Sequence, residues 1–180
     1  LVKLGTGQPA IYFDETAKKI LQNRGIPEKV TNRWCIGGCV EPSAAGVHMW
    51  AEGCRYSYAT AIEWALFNGY TKYWDRVIGL ETGDPRNFKT YEEFEEAVKK
   101  QVAYLIRMSV MNTHISERAH MLKMPKPVRS ICTDGCLESG VDCINGCALY
   151  NTGPGLETTG VADMADSLAA VKKLVYEDKV

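Results

Sequence analysis

Four stretches of the chain place apolar residues three and four positions apart, which is the spacing of an amphipathic helix. In "DETAKKILQNRG" (14–25), Ala17, Ile20 and Leu21 form the apolar stripe, Asp14 is the predicted N-cap, and Gly25 ends the helix. The other three helices are predicted over 57–70, 90–121 and roughly 162–178. Helices therefore dominate the predicted structure.

The longest of these patterns is "TYEEFEEAVKKQVAYLIRMSVMNTHISERAHM" (90–121). Thr90 and Glu93 form a predicted capping box at its start. After Gln101, apolar residues such as Met108 and Ile115 occupy three sides of the helix, which predicts burial in a larger body. The following "MPKPVRSIC" predicts a short extended segment, and the glycine-rich "DGCLESGVDCINGCALYNTGPG" predicts loops.

Composition and charge exclude several classes of protein. The chain is 46% hydrophobic and 24% charged, as in an ordinary globular domain. Its formal net charge of −1 gives no electrostatic reason to expect binding to nucleic acid or to an anionic membrane. No apolar run approaches membrane-spanning length, and no signal peptide is visible. Leu1 is not methionine and the last helical pattern has no glycine stop, so we expect an internal piece of a longer protein.

The seven cysteines favour reduced thiols over a disulfide framework. An odd count without a secretory signal is typical of a reducing compartment. A C-x3-C spacing, which a zinc or iron–sulfur site permits, recurs at Cys35/Cys39, Cys132/Cys136 and Cys143/Cys147. No histidine pair accompanies these cysteines, so buried, inert thiols are the preferred interpretation for most of them.

The clearest candidate for chemistry is "RWCIGGCVEP" (33–42). Gly37 and Gly38 make the backbone pliable and leave room beside Cys39. Pro42 restricts Glu41 to an extended conformation, in which residues two apart point the same way. The pattern therefore places Cys39 and Glu41 towards one space, although a tight turn would have the same sequence.

Two kinds of cysteine chemistry are compatible with this segment. A hydrolytic nucleophile needs a histidine base, and His48 lies nine residues after Cys39, but nothing resembles a cysteine-protease signature. One-electron chemistry instead needs a thiyl radical in a solvent-excluded pocket and requires no basic residue. The second alternative fits the small residues around Cys39 better.

The segment "IGGCVEP" resembles the thiyl loop of the glycyl radical enzymes. Three more blocks follow the order of that family: "LGTGQPAIYFDE", "RSICTDGCLESGVDCINGCALYN" and "VADMADSLAAVKKLVYEDK". The block "RSICTDGCLESGVDCINGCALYN" resembles the family pattern S-x-x-x-D-G-C-x-E-x-G-x-D followed by G-G-A-x-Y-N. Cys147 stands where that pattern has its second glycine, and the family's R-V-x-G motif is absent from the chain.

The resemblance implies an α/β fold: residues 1–180 would be the helix-rich central part of a ten-stranded α/β barrel. The thiyl loop would occupy 37–42, and the C-terminal glycyl radical domain would lie outside the chain. Cys39 would carry the thiyl radical, with Glu41 as the second catalytic residue. The family binds no cofactor or metal directly, because a radical S-adenosylmethionine activating enzyme installs the glycyl radical. The implied location is cytoplasmic.

The residues after the loop suggest a subfamily. Val40 follows Cys39 where pyruvate formate-lyase has a second cysteine, so that activity is not expected. The stretch "SAAGVHMWAEGCRYSYATAIEWALFNGY" is poor in polar side chains and looks like the succinate synthases, of the alkylsuccinate and next the benzylsuccinate type. That resemblance predicts the radical addition of an n-alkane to fumarate, giving an alkylsuccinate. The alternative is a glycyl radical lyase or dehydratase acting on a small polar substrate.

The synthase prediction assigns further roles. Gly38 and Trp50 would line the substrate pocket, and Arg55 would bind a fumarate carboxylate, unless it forms an ion pair with Glu52 or Glu63. Because a hydrocarbon offers no acidic proton, Glu41 would order the loop and would not be an essential base. The expected partners are the hydrocarbon, fumarate, the activating enzyme, small accessory subunits and a second copy of the chain.

Overall fold

The computed structural model describes residues 2–5, 10–38, 40–49, 52–151, 153 and 155–180. The α-helices are α1 (Asp14–Asn23), α2 (Glu28–Thr31), α3 (Tyr58–Leu66), α4 (Tyr91–Lys123), α5 (Pro127–Ile131), α6 (Cys136–Ser139) and α7 (Val161–Val171). The strands are β1 (Trp34–Gly37), β2 (Glu41–Ala44), β3 (His48–Met49), β4 (Glu52–Ser57), β5 (Tyr70–Thr71), β6 (Arg76–Val77), β7 (Tyr150–Asn151) and β8 (Gly155–Thr159). Within these ranges no helix is both long enough and apolar enough to cross a bilayer.

The helices predicted over 14–25, 90–121 and 162–178 are confirmed, with one change at the start of α1. Phe13 is the N-cap, and Asp14 is the first helical residue. The Asp14 carboxylate accepts a hydrogen bond from Trp34 Nε1 at 2.7 Å and so makes a tertiary contact with β1. The helix predicted over 57–70 is present as the shorter α3, Tyr58–Leu66. Asn68 and Gly69, the predicted stop, follow it with φ angles of 49° and 83°.

The extended segment predicted for "MPKPVRSIC" is wrong, since Pro127–Ile131 forms α5. Proline is accommodated in the first turn of a helix, where its missing N–H leaves no bond unmade. Asp142 then stabilises the same turn: its Oδ2 accepts from Lys126 N at 2.7 Å and from Ser130 Oγ at 3.0 Å. These long-range bonds decide the conformation against the local signal.

The chain divides into two units, of which the first comprises Leu1–Ala51 and Ala119–Gly153. It contains the antiparallel hairpin β1–β2 and the parallel pair β3–β7. One core cluster joins α1 to the hairpin through Leu21, Ile26, Ala44 and Val47. A second cluster is formed by Met49, Cys136, Cys143, Ile144 and Ala148.

The second unit comprises Glu52–Arg118 and Pro154–Val180. Its strands β4 and β8 are parallel, and each is followed by a helix, α3 or α7, which pack against each other. Gly53 is required at this pairing, because a Cβ there would lie 1.6 Å from Gly155 O. The core contains Ile62, Ala65, Phe94, Ala97 and Val98. Strand–helix repeats of this kind are the α/β arrangement that was predicted.

Helix α4 buries only one stripe within the part of the chain that the structure describes. Its buried positions are Phe94, Ala97, Val98, Gln101, Leu105, Ser109 and Thr113. Met108 and Ile115 are exposed, so the three-sided burial predicted for this helix is not present here. Gln101 is buried because its side chain closes a polar contact: Nε2 donates to Leu80 O at 2.6 Å, and Oε1 accepts from Leu80 N at 2.9 Å.

Asp142, in the segment "RSICTDGCLESGVDCINGCALYN", is the centre of a hydrogen-bond network. Besides Lys126 N and Ser130 Oγ, it accepts from Ile144 N at 2.9 Å, and Ser130 Oγ in turn accepts from Cys143 N at 2.9 Å. Burial alone would raise the pKa of Asp142, but the hydrogen bonds from Ile144, Lys126, Ser130 and Cys143 outweigh it and lower the pKa. The aspartate and serine of the S-x-x-x-D-G-C-x-E-x-G-x-D pattern therefore hold α5 and the following turn together.

We expect Asp142→Asn to loosen this segment, because an amide cannot accept as many hydrogen bonds as a carboxylate. Amide hydrogen exchange over 126–144 should accelerate by about ten- to a hundredfold, the equivalent of one or two lost bonds to a charged group. Asp166→Asn on the exposed side of α7 is the matched control. Unchanged exchange over 126–144 at neutral pH would contradict this role.

The same bonds predict a pH dependence. The folded-state pKa of Asp142 is lowered, so its stabilisation is complete above the pKa of an unfolded aspartate and is lost as the pH falls through the folded value. The exchange difference between the wild-type protein and Asp142→Asn should therefore shrink in acid.

Candidate functional site

The segment "RWCIGGCVEP" forms a β-hairpin. β1 and β2 pair with the register Trp34↔Ala44, Cys35↔Ser43 and Gly37↔Glu41. Gly38 connects the strands with a φ of 63°, which is a left-handed conformation that favours glycine over any residue with a Cβ. Cys39 lies outside the described residues, so its predicted place beside Glu41 stays a prediction.

The two faces of this hairpin have different contacts. Ala44 packs in a core cluster with Leu21, and Trp34 lies against the same cluster and donates to Asp14. Because side chains alternate along a strand, Glu41 and Ser43 lie on the opposite face from Ala44. One face thus anchors the hairpin to α1, and the other carries its polar side chains.

The Glu41 carboxylate turns back towards the tip of the hairpin. Its Oε2 accepts a hydrogen bond from Val40 N at 2.9 Å, and its Oε1 is enclosed by protein. Val40 directly follows Cys39 in the chain. The structure therefore holds a carboxylate against the backbone next to the candidate radical residue.

His48 and Ser43 form a buried pair that the sequence analysis did not identify. Ser43 Oγ and His48 Nδ1 are 3.0 Å apart, and both residues are 6% exposed. Burial lowers the pKa of His48, and the charges of Arg24 and Arg129 lower it further, so the imidazole is neutral at neutral pH. Cys39 lies outside the described residues, so the alternative pairing of Cys39 with His48 as nucleophile and base stays a prediction.

The turn after β2 is fixed at several points. Gly46 O accepts from Asp134 N at 2.7 Å, and Val47 O accepts from Tyr150 N at 3.0 Å. Gly46 has a φ of 73°, and a Cβ at this position would lie 3.0 Å from a guanidinium nitrogen of Arg33. The end of strand β2 that lies away from Gly38 is therefore held by backbone hydrogen bonds.

Arg55 lies on β4 opposite Glu157 of β8, and the two side chains form an ion pair. The expected alternative for Arg55 was a structural ion pair with Glu52 or Glu63, and the acid found here is a different one. The Arg55 side chain is 57% exposed and that of Glu157 is 21% exposed. The sequence could not identify Glu157, because the pairing of β4 with β8 joins residues about a hundred positions apart. Trp50, the other predicted pocket residue on this segment, lies outside the described residues.

The apolar residues after the loop belong to protein cores. Met49 packs with Cys136, Cys143, Ile144 and Ala148, while Ala44 and Val47 pack with α1. Further along the stretch, Ala61, Ile62, Trp64 and Ala65 are buried in the second unit. The apolar composition of this stretch is thus explained by packing and gives no evidence for an apolar substrate pocket.

Reduced thiols were expected in preference to a disulfide framework, with most cysteines buried and inert, but Cys136 and Cys147 form a disulfide. Their Cα atoms are 5.1 Å apart, a normal disulfide separation. Gly135 makes the approach possible, since a Cβ there would lie 2.6 Å from Cys147 O. Among the described residues, no three or more histidines, cysteines or acids are grouped to hold a metal ion.

Comparisons with known proteins agree over the whole chain. The family model described as "Pyruvate formate lyase-like" matches residues 1–180. The chain is 35% identical over 175 residues to a trans-4-hydroxy-L-proline dehydratase of Clostridioides difficile, covering 97% of this chain and 22% of that protein. It is 32% identical over 181 residues to an isethionate sulfite-lyase of Oleidesulfovibrio alaskensis, covering 99% of this chain and 22% of the relative.

A solved structure gives the same result. A protein of 1,2-propanediol dehydration in Roseburia inulinivorans superposes with a TM-score of 0.83 at 33% identity, covering 98% of this chain and 22% of that one. The chain therefore spans about a fifth of the length of the relatives it matches. The predicted α/β barrel fold is confirmed by this likeness.

The same relatives correct the predicted reaction. They are dehydratases and a sulfite-lyase, and the substrates in their names are small polar molecules. The prediction of alkane addition to fumarate is therefore wrong, as is the resemblance to the alkylsuccinate synthases on which it rested. The physical cause is the one given above: core residues were interpreted as the lining of an apolar pocket.

Proposed function

Because the chain belongs to the pyruvate formate lyase-like family of glycyl radical enzymes, we propose that this protein is a lyase that eliminates water or sulfite from a small polar substrate. The observation that carries the proposal is the position of Glu41, whose carboxylate is held at the backbone N–H of Val40. A substrate with a hydroxyl group gives such a carboxylate a proton to accept, whereas a hydrocarbon does not.

In this proposal Cys39 is the residue that exchanges hydrogen atoms. Its thiyl radical takes a hydrogen atom from a substrate carbon, which forms the S–H bond and leaves a carbon radical. The neighbouring C–O or C–S bond then breaks, and the leaving group departs. The product radical takes the hydrogen atom back from Cys39, so the thiyl radical is regenerated and no electrons are gained or lost overall.

Glu41 is the proposed base of the elimination. It removes the proton from the substrate hydroxyl as the carbon radical forms, which drives electron density towards the leaving group. Glu41 then gives this proton to the expelled hydroxide or sulfite, which leaves as water or bisulfite, so the carboxylate is regenerated and the charges balance. A base with a positioned carboxylate typically contributes about 10²- to 10⁴-fold to the rate of such a proton transfer.

The remaining predicted site residues keep proposed roles in substrate binding. Gly38 supplies space beside Cys39, which its left-handed backbone supports. Trp50 is proposed as a wall of the pocket from its place in the sequence alone. Arg55 is proposed to contact an anionic substituent, such as a carboxylate or sulfonate, because its side chain is 57% exposed beside Glu157.

The proposed partners follow from the same chemistry. A radical S-adenosylmethionine activating enzyme makes the glycyl radical that Cys39 draws on, and the chain binds no cofactor of its own. The R-V-x-G motif expected of a glycyl radical residue is not found within these 180 residues, so none of them is proposed to carry the glycyl radical. Because the synthase reaction is wrong, we do not propose a hydrocarbon, fumarate or small accessory subunits as partners.

A substrate panel tests the proposal. The whole protein is activated anaerobically by its activating enzyme, and the radical is counted by electron paramagnetic resonance. The panel contains trans-4-hydroxy-L-proline, isethionate and 1,2-propanediol, with carbonyl products and sulfite as readouts. We expect turnover of a compound of this class. An enzyme that carries the full radical yet eliminates nothing from any small hydroxylated compound would overturn the proposal.

A further inference from the structure

Two polar side chains are buried where the strand could have been apolar. Ser43 and His48 are each 6% exposed, and they face each other across 3.0 Å. A buried polar group stabilises a fold little even when it is paired, and costs stability when it is not. Ala44, next to Ser43, shows that this strand is packed elsewhere by a small apolar residue. Burying this polar pair therefore stabilises the fold less than burying two apolar side chains would.

The anchored end of this pair is His48. It opens β3, which pairs in parallel with β7 at the register His48↔Tyr150. The turn just before it is tied by Asp134 N to Gly46 O and by Tyr150 N to Val47 O. The imidazole thus stands on a backbone that is held from outside the hairpin.

Ser43, the other residue of the pair, lies on the same strand as Glu41. Ser43 and Glu41 are two residues apart on β2 and share one face, at a spacing of about 6.5–7 Å along the strand. Between them the chain contains only Pro42, whose ring fixes its backbone torsion. A displacement of Ser43 is therefore transmitted along a short, stiff stretch to the carboxylate at Val40 N.

We propose that the Ser43–His48 hydrogen bond is a positioning contact, which sets where the Glu41 carboxylate stands relative to the hairpin tip. The inference rests on the proposed function for its effect on catalysis, because it assumes that Glu41 acts as a base. Its effect on the position of Glu41 does not depend on any substrate. Ser43 and His48 are positioning residues and touch no reacting atom.

A first experiment follows Glu41 directly. In the whole protein, amide hydrogen exchange is measured over 38–42, where Val40 N–H is protected by Glu41. Ser43→Ala should accelerate exchange there by about tenfold, the loss expected for one hydrogen bond. Glu41→Ala supplies the reference for complete loss. Exchange over 38–42 that is unchanged in Ser43→Ala would overturn the proposal, whether or not a substrate is known.

A second experiment measures turnover with the substrate found in the panel. A misplacement of about 1 Å at a catalytic group costs about a hundredfold in rate, so Ser43→Ala should lower kcat by about ten- to a hundredfold. The KM and the radical yield should change little. Ser43→Thr keeps the hydroxyl, and His48→Asn keeps a polar group near the position of Nδ1. Both variants should therefore retain a large part of the wild-type kcat.

The matched control is Thr31→Val, which removes another buried hydroxyl from the same unit. Thr31 is fully buried, and its Oγ1 donates to Glu28 O at 2.7 Å within α2. Thr31→Val should lose stability without a change in kcat or in exchange over 38–42. If it lowered kcat as much as Ser43→Ala, the pair would be a structural contact only. A wild-type protein that turns over nothing refutes the proposed function, while the exchange experiment still decides the positioning role.

Discussion

We expect Cys39→Ser to abolish turnover and to leave the protein able to receive a glycyl radical, because in the proposed mechanism only turnover uses the Cys39 thiol. The O–H bond of serine is much stronger than the S–H bond of cysteine, so a glycyl radical cannot draw a hydrogen atom from it. The activation step involves a different residue and does not use Cys39. Electron paramagnetic resonance after activation should therefore show a normal radical yield, while product formation falls to background.

Two other cysteines serve as controls for this result. Cys35 lies on β1 opposite Ser43, and Cys54 lies on β4, where its sulfur accepts from Asn112 Nδ2 at 2.9 Å. Both thiols are partly buried, so Cys35→Ser and Cys54→Ser test the general effect of removing sulfur from a strand. They should keep most of the wild-type turnover. Measurable elimination by Cys39→Ser would exclude Cys39 as the radical carrier.

The helices that could be predicted are those whose stability comes from their own sequence pattern. α1 and the first half of α4 follow apolar stripes, and Phe94, Ala97 and Val98 are buried as that pattern indicates. α5 and α6 could not be predicted in the same way. The first turn of α5 depends on Asp142, which lies 16 residues from Lys126 and 12 from Ser130. A bond across such a separation leaves no periodic signal.

The candidate site was predictable only in its local part. The Gly-Gly-Cys-Val-Glu-Pro segment predicts the left-handed backbone of Gly38 and the extended backbone of Glu41, because strand alternation and glycine conformation are properties of neighbouring residues. The roles of Cys39, Glu41 and Gly38 in the site stay predictions. The same alternation pointed from Glu41 to Ser43, and this step was not taken. The contact with His48 required the path of the turn over 44–47, which the sequence does not specify.

The incorrect substrate class has a simple physical cause. The sequence does not show whether a methionine or alanine near a site lines a pocket or is buried in a core. Met49 lies among Cys136, Cys143, Ile144 and Ala148, which come from almost a hundred residues further along the chain. The Cys136–Cys147 disulfide was missed for the same reason, because cysteine spacing alone does not determine pairing.

Glu41→Gln is expected to lower kcat by about 10²- to 10⁴-fold, the usual contribution of a general base. The glutamine amide oxygen can still accept the hydrogen bond from Val40 N, so the variant retains the shape of the hairpin tip and loses only the capacity to take a proton. Exchange over 38–42 and the radical yield should stay as in the wild-type protein. Glu28→Gln on the exposed face of α2 is the control for a surface carboxylate of the same unit.

This variant separates the proposed role of Glu41 as a base from its observed hydrogen bond with Val40 N. If Glu41→Gln turned over substrate at the wild-type rate, the carboxylate would only order the loop through Val40, as was expected for a synthase. If kcat falls while exchange at the tip is preserved, the loss belongs to proton transfer. Because a proton must leave a hydroxylated substrate before its neighbouring bond breaks, that second outcome would tie Glu41 to the elimination itself.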